Sequence, residues 1–313
     1  MKPIKPALTY EQQIQKLTVE KGMIIRDKTF ATERLKDISY YALIDGYKTL
    51  FYNPMVRKYK SGTTFEDILS IYLFDKALRE LGFKYICIVE QKIRSLISYH
   101  FSEVYSHKQY DYLDPGNYLN TKRNRADISK LIAGLAYEVN VSDDHEYVVY
   151  QRHTYGNVPL WVVMKTITFG KMSKMYSLLN SSVKAKICRN FKGVSEKELA
   201  QHLQVLVDFR NICAHNERFY CHVNRHEIPN TPLHKKLNIP QRGSQYIYGK
   251  KDLFSVVISL RYLLPKNDFP AFKRELTALI KKAVESSNTL EESDLLRAMG
   301  FPTNWKAITH YKI

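Results

Sequence analysis

Helix-start signals recur along this chain and constrain its fold more than any other feature. In a capping box, a Thr or Ser accepts the backbone N–H of the third residue on, and the Glu or Gln at that position accepts the N–H of the Thr or Ser in return. Apolar residues also recur at helical spacing, whereas the alternating pattern typical of strands is nearly absent. The sequence therefore predicts an all-α fold. The predicted boxes are Thr9/Gln12, Thr63/Glu66, Ser195/Glu198 and Thr289/Glu292.

Loop signals suggest how the chain is divided. Pro and Gly residues cluster at 114–116, 156–159 and 228–243, and the last stretch is the longest. No repeat with a period of roughly 20–50 residues is present. We expect an amino-terminal helical segment (1–60), a helical core (61–265) and carboxyl-terminal helices (266–313).

The charge balance indicates a polyanionic partner. The chain has 48 Lys and Arg against 31 Asp and Glu, which gives a formal net charge of +17. A basic protein without a nucleic-acid partner is the plain alternative, because charge alone does not report function. The basic residues are spread along the whole chain, so any anion site must be a folded surface and not a disordered arm.

Cysteine usage and hydropathy indicate the compartment. The four cysteines, Cys87, Cys188, Cys213 and Cys221, are too few and too scattered to crosslink a chain of 313 residues. Residues 1–6 lack the apolar stretch of a signal peptide, and no window approaches the roughly 18 apolar residues of a membrane span. We expect a cytoplasmic protein without a membrane partner.

An arginine stands in the apolar face of the helix predicted to begin at Ser195. Leu199, Leu203 and Leu206 form that face, and steps of about 100° per residue place Arg210 on it together with Cys213. An unpaired buried guanidinium is unfavourable, so Arg210 must contact a carboxylate, a partner subunit or a phosphate. Glu90 is the candidate carboxylate, because it lies beside the helical stripe of Ile86, Val89, Ile93 and Ile97.

Two further polar residues follow this arginine. Asn211 and His215 lie four residues apart, so they share one side of the helix and can converge on one ligand. Arg210 and His215 lie five apart and would point about 140° from each other on an ideal helix. These two meet at one site only if the helix ends near Cys213 or if two copies of the segment face each other.

The segment Arg210-Asn211-Ile212-Cys213-Ala214-His215 resembles the Arg-Asn-x-x-x-His signature of HEPN ribonucleases. Its surroundings resemble the abortive-infection proteins of the AbiD/AbiF type from bacterial phage defence over nearly the full length. Lys165 departs from the resemblance, because a Glu is expected there. The resembling stretches are 8–10 with 13–14, 22–27, 38–41 through 46–47, 64–65 with 72–75 and 78–79, 88–90 with Arg94, 159–161 with 168–170, 210–215 with Arg218, and 300–302 with Trp305.

This resemblance implies an HEPN-type helical bundle at 61–265, with additional amino- and carboxyl-terminal helices. It implies an endoribonuclease toxin of phage defence that acts as a homodimer, with its two motifs facing across the interface, and that needs no metal or other cofactor. A toxin must be silenced in healthy cells, so a bound inhibitor is expected. A structured noncoding RNA fits the net charge of +17 better than a basic protein does.

General chemistry is compatible with these implied roles. RNA carries its own nucleophile, the 2′-hydroxyl, so the protein has only to move protons and to stabilise negative charge. Histidine transfers protons near neutral pH, which suits His215 as base or acid. Arg210 can stabilise the charged phosphorane, Asn211 can orient His215 or the phosphate, and Glu90 can hold Arg210 in place. The cleaved 5′ fragment should then end in a 2′,3′-cyclic phosphate.

Cationic residues crowd the loop-rich segment after the motif. A solvated charged surface is the plain interpretation, but nearness to the motif favours phosphate positioning. The cluster at 122–125 is compatible with a second RNA contact. The candidate RNA-binding residues are Arg218, Arg225, Lys235, Lys236, Arg242, Lys250 and Lys251.

Several alternatives remain open. The main one is a non-catalytic RNA-binding HEPN module, and a DNA-binding regulator is less supported because no helix-turn-helix is evident, so no DNA partner is expected. A zinc site is disfavoured because the Cys and His residues at 213–226 do not repeat as paired metal-binding arms. Tyrosines such as Tyr40, Tyr41, Tyr47, Tyr220, Tyr246 and Tyr248 could stack on bases or simply pack, and the sequence assigns no stacking role to any of them.

Overall fold

The predicted all-α class is confirmed. The computed structural model describes residues 6–312, and 64% of the chain is helical. Residues 1–5 and 313 lie outside that range, so the expectation that residues 1–6 form no signal peptide falls almost wholly outside the described residues. The helices are α1 (Tyr10–Gln15), α2 (Lys28–Ile38), α3 (Phe65–Val104), α4 (Gln109–Leu113), α5 (Arg125–Asn140), α6 (Glu146–Tyr155), α7 (Leu160–Val163), α8 (Phe169–Leu178), α9 (Ser181–Cys188), α10 (Glu196–Ala214), α11 (Pro232–Lys236), α12 (Leu253–Leu263), α13 (Asp268–Glu285) and α14 (Glu292–Met299).

Short irregular helices and two small hairpins lie between these helices or after them. π-Helical turns span Lys16–Glu20 and Tyr41–Asp45, and 3₁₀ turns span Lys48–Leu50, Pro115–Asn117 and Trp305–Thr309. Antiparallel strands β1 (Tyr52–Asn53) and β2 (Lys58–Tyr59) pair Tyr52 with Tyr59, and β3 (Gln241–Arg242) and β4 (Gln245–Tyr246) pair Gln241 with Tyr246.

Two predicted capping boxes are present, those that begin α1 and α10. The box predicted at Thr63 is displaced by one residue. Thr64 and Asp67 form it instead, because the carbonyl of Thr63 accepts the N–H of Ile24 at 2.9 Å and Thr64, in extended backbone, becomes the N-cap residue.

The box predicted at Thr289 and Glu292 is wrong. The backbone N–H of Thr289 donates to the hydroxyl of Ser287 at 3.3 Å, which draws Thr289 into the preceding turn. Helix α14 then begins at Glu292 with Glu291 as its N-cap residue, and no side-chain hydrogen bond caps it.

Helix α3 is the central element, with 40 residues. It packs against α7, α9, α10, α12 and α13, and α10 packs in turn against α8, α9 and α12. The predicted apolar stripe of α3 is fully buried at Ile86, Val89, Ile93 and Ile97. This arrangement brings the middle of α3 against the carboxyl half of α10.

One continuous set of buried apolar side chains runs from Ile14 to Ile308. The amino-terminal helices, the predicted core and the carboxyl-terminal helices therefore share a hydrophobic core, and the boundaries at 60 and 265 stay a prediction. No helix between residues 6 and 312 is long and apolar enough to cross a membrane.

Two histidines are buried in their neutral form. His202 of α10 lies within 2.8 Å of the Ser259 hydroxyl, and burial lowers its pKa to about 3. His234 donates from Nε2 to the carbonyl of Gly249 at 3.0 Å and accepts the N–H of Thr231 on Nδ1 at 3.1 Å, where it completes a capping box for α11. Burial lowers the pKa of His234 to about 4.

These histidines should make the protein less stable in mild acid. Their folded-state pKa values lie below the unfolded value of about 6.5, so only the unfolded chain takes up protons as the pH falls below it. At pH 5 each histidine should have lowered the free energy of unfolding by about 2 kcal/mol relative to neutral pH. Urea unfolding measured between pH 7 and pH 5 tests this expectation. The His234→Gln protein keeps a capping acceptor that does not titrate, so its pH dependence should be flatter, and an unchanged slope would contradict the assignment.

Candidate active site

The predicted motif, residues 210–215, lies at the carboxyl end of helix α10. Its predicted apolar face is buried, since Leu199, Leu203 and Leu206 are inaccessible to solvent. The helix ends at Ala214, and Asn216 follows in the left-handed conformation with φ 55°. The N–H groups of residues 216 and 217 donate to the carbonyls of residues 213 and 212 at 3.3 and 3.1 Å. This is a Schellman motif, and Asn is one of the few residues that adopt its left-handed position readily.

Arg210 meets its predicted partner on α3. Its Nε lies 3.7 Å from Oε2 of Glu90, and the side chains are 30% and 10% exposed. The other carboxylate oxygen of Glu90 accepts a hydrogen bond from Arg94, which also donates to the carbonyl of Met164 at the end of α7. The ring of Phe83 lies 5.5 Å from the Arg210 guanidinium carbon. Glu90 thus stands between two arginines and links α10, α3 and α7.

The contact between Arg210 and Glu90 is an ion pair without a hydrogen bond. The Nε atom of Arg210 is buried and has no hydrogen-bond partner among the described residues. An unsatisfied buried donor is unfavourable, and a charged one more so. Part of the side chain stays accessible, so an incoming anionic oxygen can reach the guanidinium.

Asn211 and His215 face solvent. Within residues 6–312, no hydrogen bond or ion pair engages either side chain. Helix α10 continues through Ala214, and the N–H of His215 still donates to the carbonyl of Asn211 at 2.9 Å, as it would within the helix. His215 therefore keeps nearly the position that a continued helix would give it. In one chain, Arg210 therefore points into the contact with α3, while Asn211 and His215 point outward. Among the described residues, no hydrogen bond or ion pair joins the three motif side chains to one another within a single copy.

A buried carboxylate holds the segment that follows the motif. Asp75 of α3 accepts hydrogen bonds from the N–H groups of Phe219 and Tyr220, at 3.1 and 2.7 Å, and from the hydroxyl of Tyr47 at 2.8 Å. Arg79 donates to Asp75 at 2.7 Å and to the carbonyl of Glu217 at 3.2 Å. Burial raises the pKa of Asp75, although these donors oppose the rise. The chain leaving His215 is thereby fixed to α3.

Sequence reasoning missed this role of Asp75 and Arg79. The available signal was an oppositely charged pair four residues apart on a long, mostly apolar helix, which indicates a buried ion pair. Nothing local in the sequence indicated that its partners would be backbone groups near residue 219.

The predicted RNA-binding residues are not equivalent. The structure does not fit the expectation that Lys250 binds RNA. This residue is only 6% exposed, and its ammonium group donates to the carbonyl of Ile228 and to the side chain of Asn230. Burial also lowers its pKa, so this lysine serves the loop and not a phosphate. Arg218 is exposed, and its guanidinium donates to the carbonyl of Gly46 at 3.0 Å. The remaining candidates are exposed as well, namely Arg225, Lys235, Lys236, Arg242 and Lys251.

The cysteines and histidines at 213–226 do not form a metal-binding group. Burial raises the pKa of Cys213 to about 12, and it also raises that of Cys221. His226 contacts Asp208 of α10 at 2.7 Å. In the part of the chain that the structure describes, no three His, Cys, Asp or Glu side chains are grouped so that they could hold a metal ion.

Comparison with known proteins identifies a family. A family model described as Abi-like protein matches residues 33–221, which is more than half of the chain and includes Asp75, Glu90 and the segment 210–215. Comparisons with curated proteins and with solved structures give no match. The chain therefore belongs to the Abi-like family, whose role is abortive infection in phage defence.

Proposed function

We propose that this protein is a metal-independent endoribonuclease toxin of the HEPN kind, kept inactive by a bound inhibitor. The observation that carries the proposal is the end of α10, where an arginine with an unsatisfied buried Nε and an exposed histidine lie five residues apart. This segment lies inside the part of the chain that matches the Abi-like family. Its residues are those of the Arg-Asn-x-x-x-His pattern that resembles HEPN ribonucleases.

The reaction requires two proton transfers and no outside nucleophile. A base takes the proton of the ribose 2′-hydroxyl, and the oxygen attacks the adjacent phosphorus. The bond from phosphorus to the 5′-oxygen breaks, and that oxygen receives a proton. The products are a 2′,3′-cyclic phosphate and a 5′-hydroxyl. His215 supplies a proton-transfer group, and Arg210 stabilises the negative charge that develops on the phosphorane oxygens.

A homodimer would bring the required groups together. Arg210 and His215 of one copy point to different sides of α10, whereas two motifs that face each other can place one His215 beside the Arg210 of the other copy. Glu90 keeps each guanidinium at the helix contact, so the arginine is held in position before RNA binds. Asn211 projects on the same side as His215 and can orient it or the phosphate.

Electrostatics supports RNA both as substrate and as inhibitor. The net charge of +17 attracts polyanions, and the exposed cations Arg218, Arg225, Lys235, Lys236, Arg242 and Lys251 follow the motif in the chain. Such contacts hold phosphates without reading sequence. A structured noncoding RNA that occupies these cations and covers the motif would silence the toxin, and no basic protein inhibitor offers the same complementarity.

The test is cleavage by purified protein from which bound nucleic acid has been removed. With unstructured RNA as substrate, we expect cleavage that excess EDTA does not slow, and 5′ fragments that end in a 2′,3′-cyclic phosphate, because the attacking oxygen belongs to the RNA. Strict dependence on added magnesium would contradict the mechanism. RNA binding without any cleavage would favour a non-catalytic RNA-binding HEPN module instead.

A further inference from the structure

A cleft of about 680 Å³ lies directly beside the end of the motif. One wall comes from residues 37–47, the other from residues 216–223, which begin immediately after His215, and Tyr72 of α3 lines it as well. Its volume lies within the range of about 300–1,000 Å³ typical of small-molecule sites. The family match, 33–221, covers every lining residue except His222 and Val223.

Tyr41 is an unpartnered aromatic ring in this cleft. It is 80% exposed, and no ring-to-ring or cation–π contact between residues 6 and 312 involves it. It opens the π-helical turn Tyr41–Asp45, which follows Ser39 at φ 76°. Both backbone forms are less favourable than a continued α-helix, and both occur often at functional sites. The local backbone thus holds an aromatic face toward a cavity without packing it.

The polar groups of the cleft differ in their freedom to bind a ligand. Asp37 pairs with Arg34 at 3.0 Å, and Asp45 pairs with Lys48 at 2.5 Å. In the described range no ion pair engages the carboxylate of Glu217, which therefore remains free to accept hydrogen bonds. Its neighbour Arg218 joins the two walls through its bond to the Gly46 carbonyl, and it is exposed.

We propose that this cleft binds an unpaired nucleobase of the RNA next to the cleaved bond, with the base stacked on Tyr41 and its edge toward Glu217. An open aromatic face, a free carboxylate and an exposed guanidinium match the ring, the exocyclic amine and the phosphate of one nucleotide. Cytosine, adenine and guanine offer such an amine, whereas uracil does not. The inference rests on the proposed RNA function of the motif, and it adds a base-recognition site to it.

Binding of an uncleavable RNA tests the cleft separately from catalysis. The probe is a short unstructured oligoribonucleotide with 2′-methoxy groups, together with versions that lack one base at successive positions. Tyr41→Ala should weaken binding of the intact probe about 5- to 150-fold, the range expected for the loss of one stacked base, whereas Tyr41→Phe should not. Tyr137→Ala is the matched control, because Tyr137 is also exposed (54%), makes no ring-to-ring or cation–π contact within residues 6–312 and does not line the cleft.

The probes that lack one base show which nucleotide stacks on Tyr41. One deletion should weaken binding to the wild-type protein but not to Tyr41→Ala, because that variant no longer stacks the missing base. At this position a base with an exocyclic amine should bind more tightly than uracil, and Glu217→Gln should reduce the difference. Equal affinities and equal deletion profiles for wild type and Tyr41→Ala would overturn the inference, while RNA cleavage by the wild type would still support the nuclease. Tyr41-dependent binding without any cleavage would reject the nuclease and leave the base site standing.

Discussion

Replacement of His215 by Ala is expected to lower RNA cleavage by about 10²- to 10⁴-fold, the range of general acid–base catalysis, and to abolish toxicity on expression. The His215 side chain is exposed, and no described residue hydrogen-bonds it. Its removal should therefore change the free energy of unfolding by no more than about 0.5 kcal/mol. Cleavage rates under single-turnover conditions and urea unfolding of the same protein separate these two quantities.

The control is another exposed histidine, His153 of α6. His153→Ala should cleave at the wild-type rate, which separates loss of a reacting group from loss of a surface imidazole. Arg210→Lys keeps the charge but loses the planar guanidinium, and it should also be strongly impaired. Glu90 keeps its ion pair with Arg94 in this variant. Arg210→Lys should therefore lower the free energy of unfolding by less than a substitution that leaves a buried carboxylate without any cationic partner. Undiminished cleavage by His215→Ala would refute the mechanism.

Asp75→Asn is expected to be the most destabilising single change among the residues around the motif. The variant leaves the buried guanidinium of Arg79 without its counter-charge, and it offers fewer acceptor sites to the N–H groups of Phe219 and Tyr220. Breaking one partner of a buried ion pair lowers the free energy of unfolding by about 3–5 kcal/mol. Denaturant unfolding of the variant and the wild type measures the difference.

A surface ion pair provides the matched comparison. Asp37→Asn breaks the contact with Arg34, and both side chains are exposed, at 58% and 38%. The substitution should therefore lower the free energy of unfolding by no more than about 1 kcal/mol. Tyr47→Phe removes the hydrogen bond that Tyr47 donates to Asp75 and a longer one, at 3.4 Å, that it accepts from Arg79, but it leaves the Asp75–Arg79 ion pair in place. It should lower the free energy of unfolding by about 1–2 kcal/mol, less than Asp75→Asn does. If Asp75→Asn unfolded at the same denaturant concentration as Asp37→Asn, the carboxylate would not hold the segment after the motif.

The helical class and part of the site could be predicted because their signals are short-range. A capping box involves residues three apart, and two of the four predicted boxes are present, at Thr9 and Ser195. The stripe around Glu90 and the face of α10 follow from helical periodicity, so the proximity of Glu90 and Arg210 could be expected before the structure was known. The predictions at Thr63 and Thr289 were wrong where neighbouring backbone offered a competing hydrogen bond.

The sequence did not show which of the cationic residues after the motif are exposed to solvent and which are buried. Lys250 belongs to a run of cations that follows the motif, yet its ammonium group bonds to Ile228 and Asn230 inside the loop. Arg225 and Arg242, in the same run, are exposed. The difference depends on how the loop folds back on itself, since the N–H of Ile228 bonds to the carbonyl of Lys250 at 2.9 Å.

The sequence by itself determined that this chain is helical, that an arginine on the apolar face of α10 needs a carboxylate, a partner subunit or a phosphate, and that a histidine follows that arginine at the spacing that resembles HEPN ribonucleases. Hydrogen bonds and side-chain periodicity within one or two helical turns carry this information. Only the tertiary structure decided that Asp75 holds the backbone of Phe219 and Tyr220, and that Tyr41 shares a cleft with Glu217. These contacts join segments more than 140 residues apart, and they form only where packing of α3 against α10 and the following loop brings the segments together.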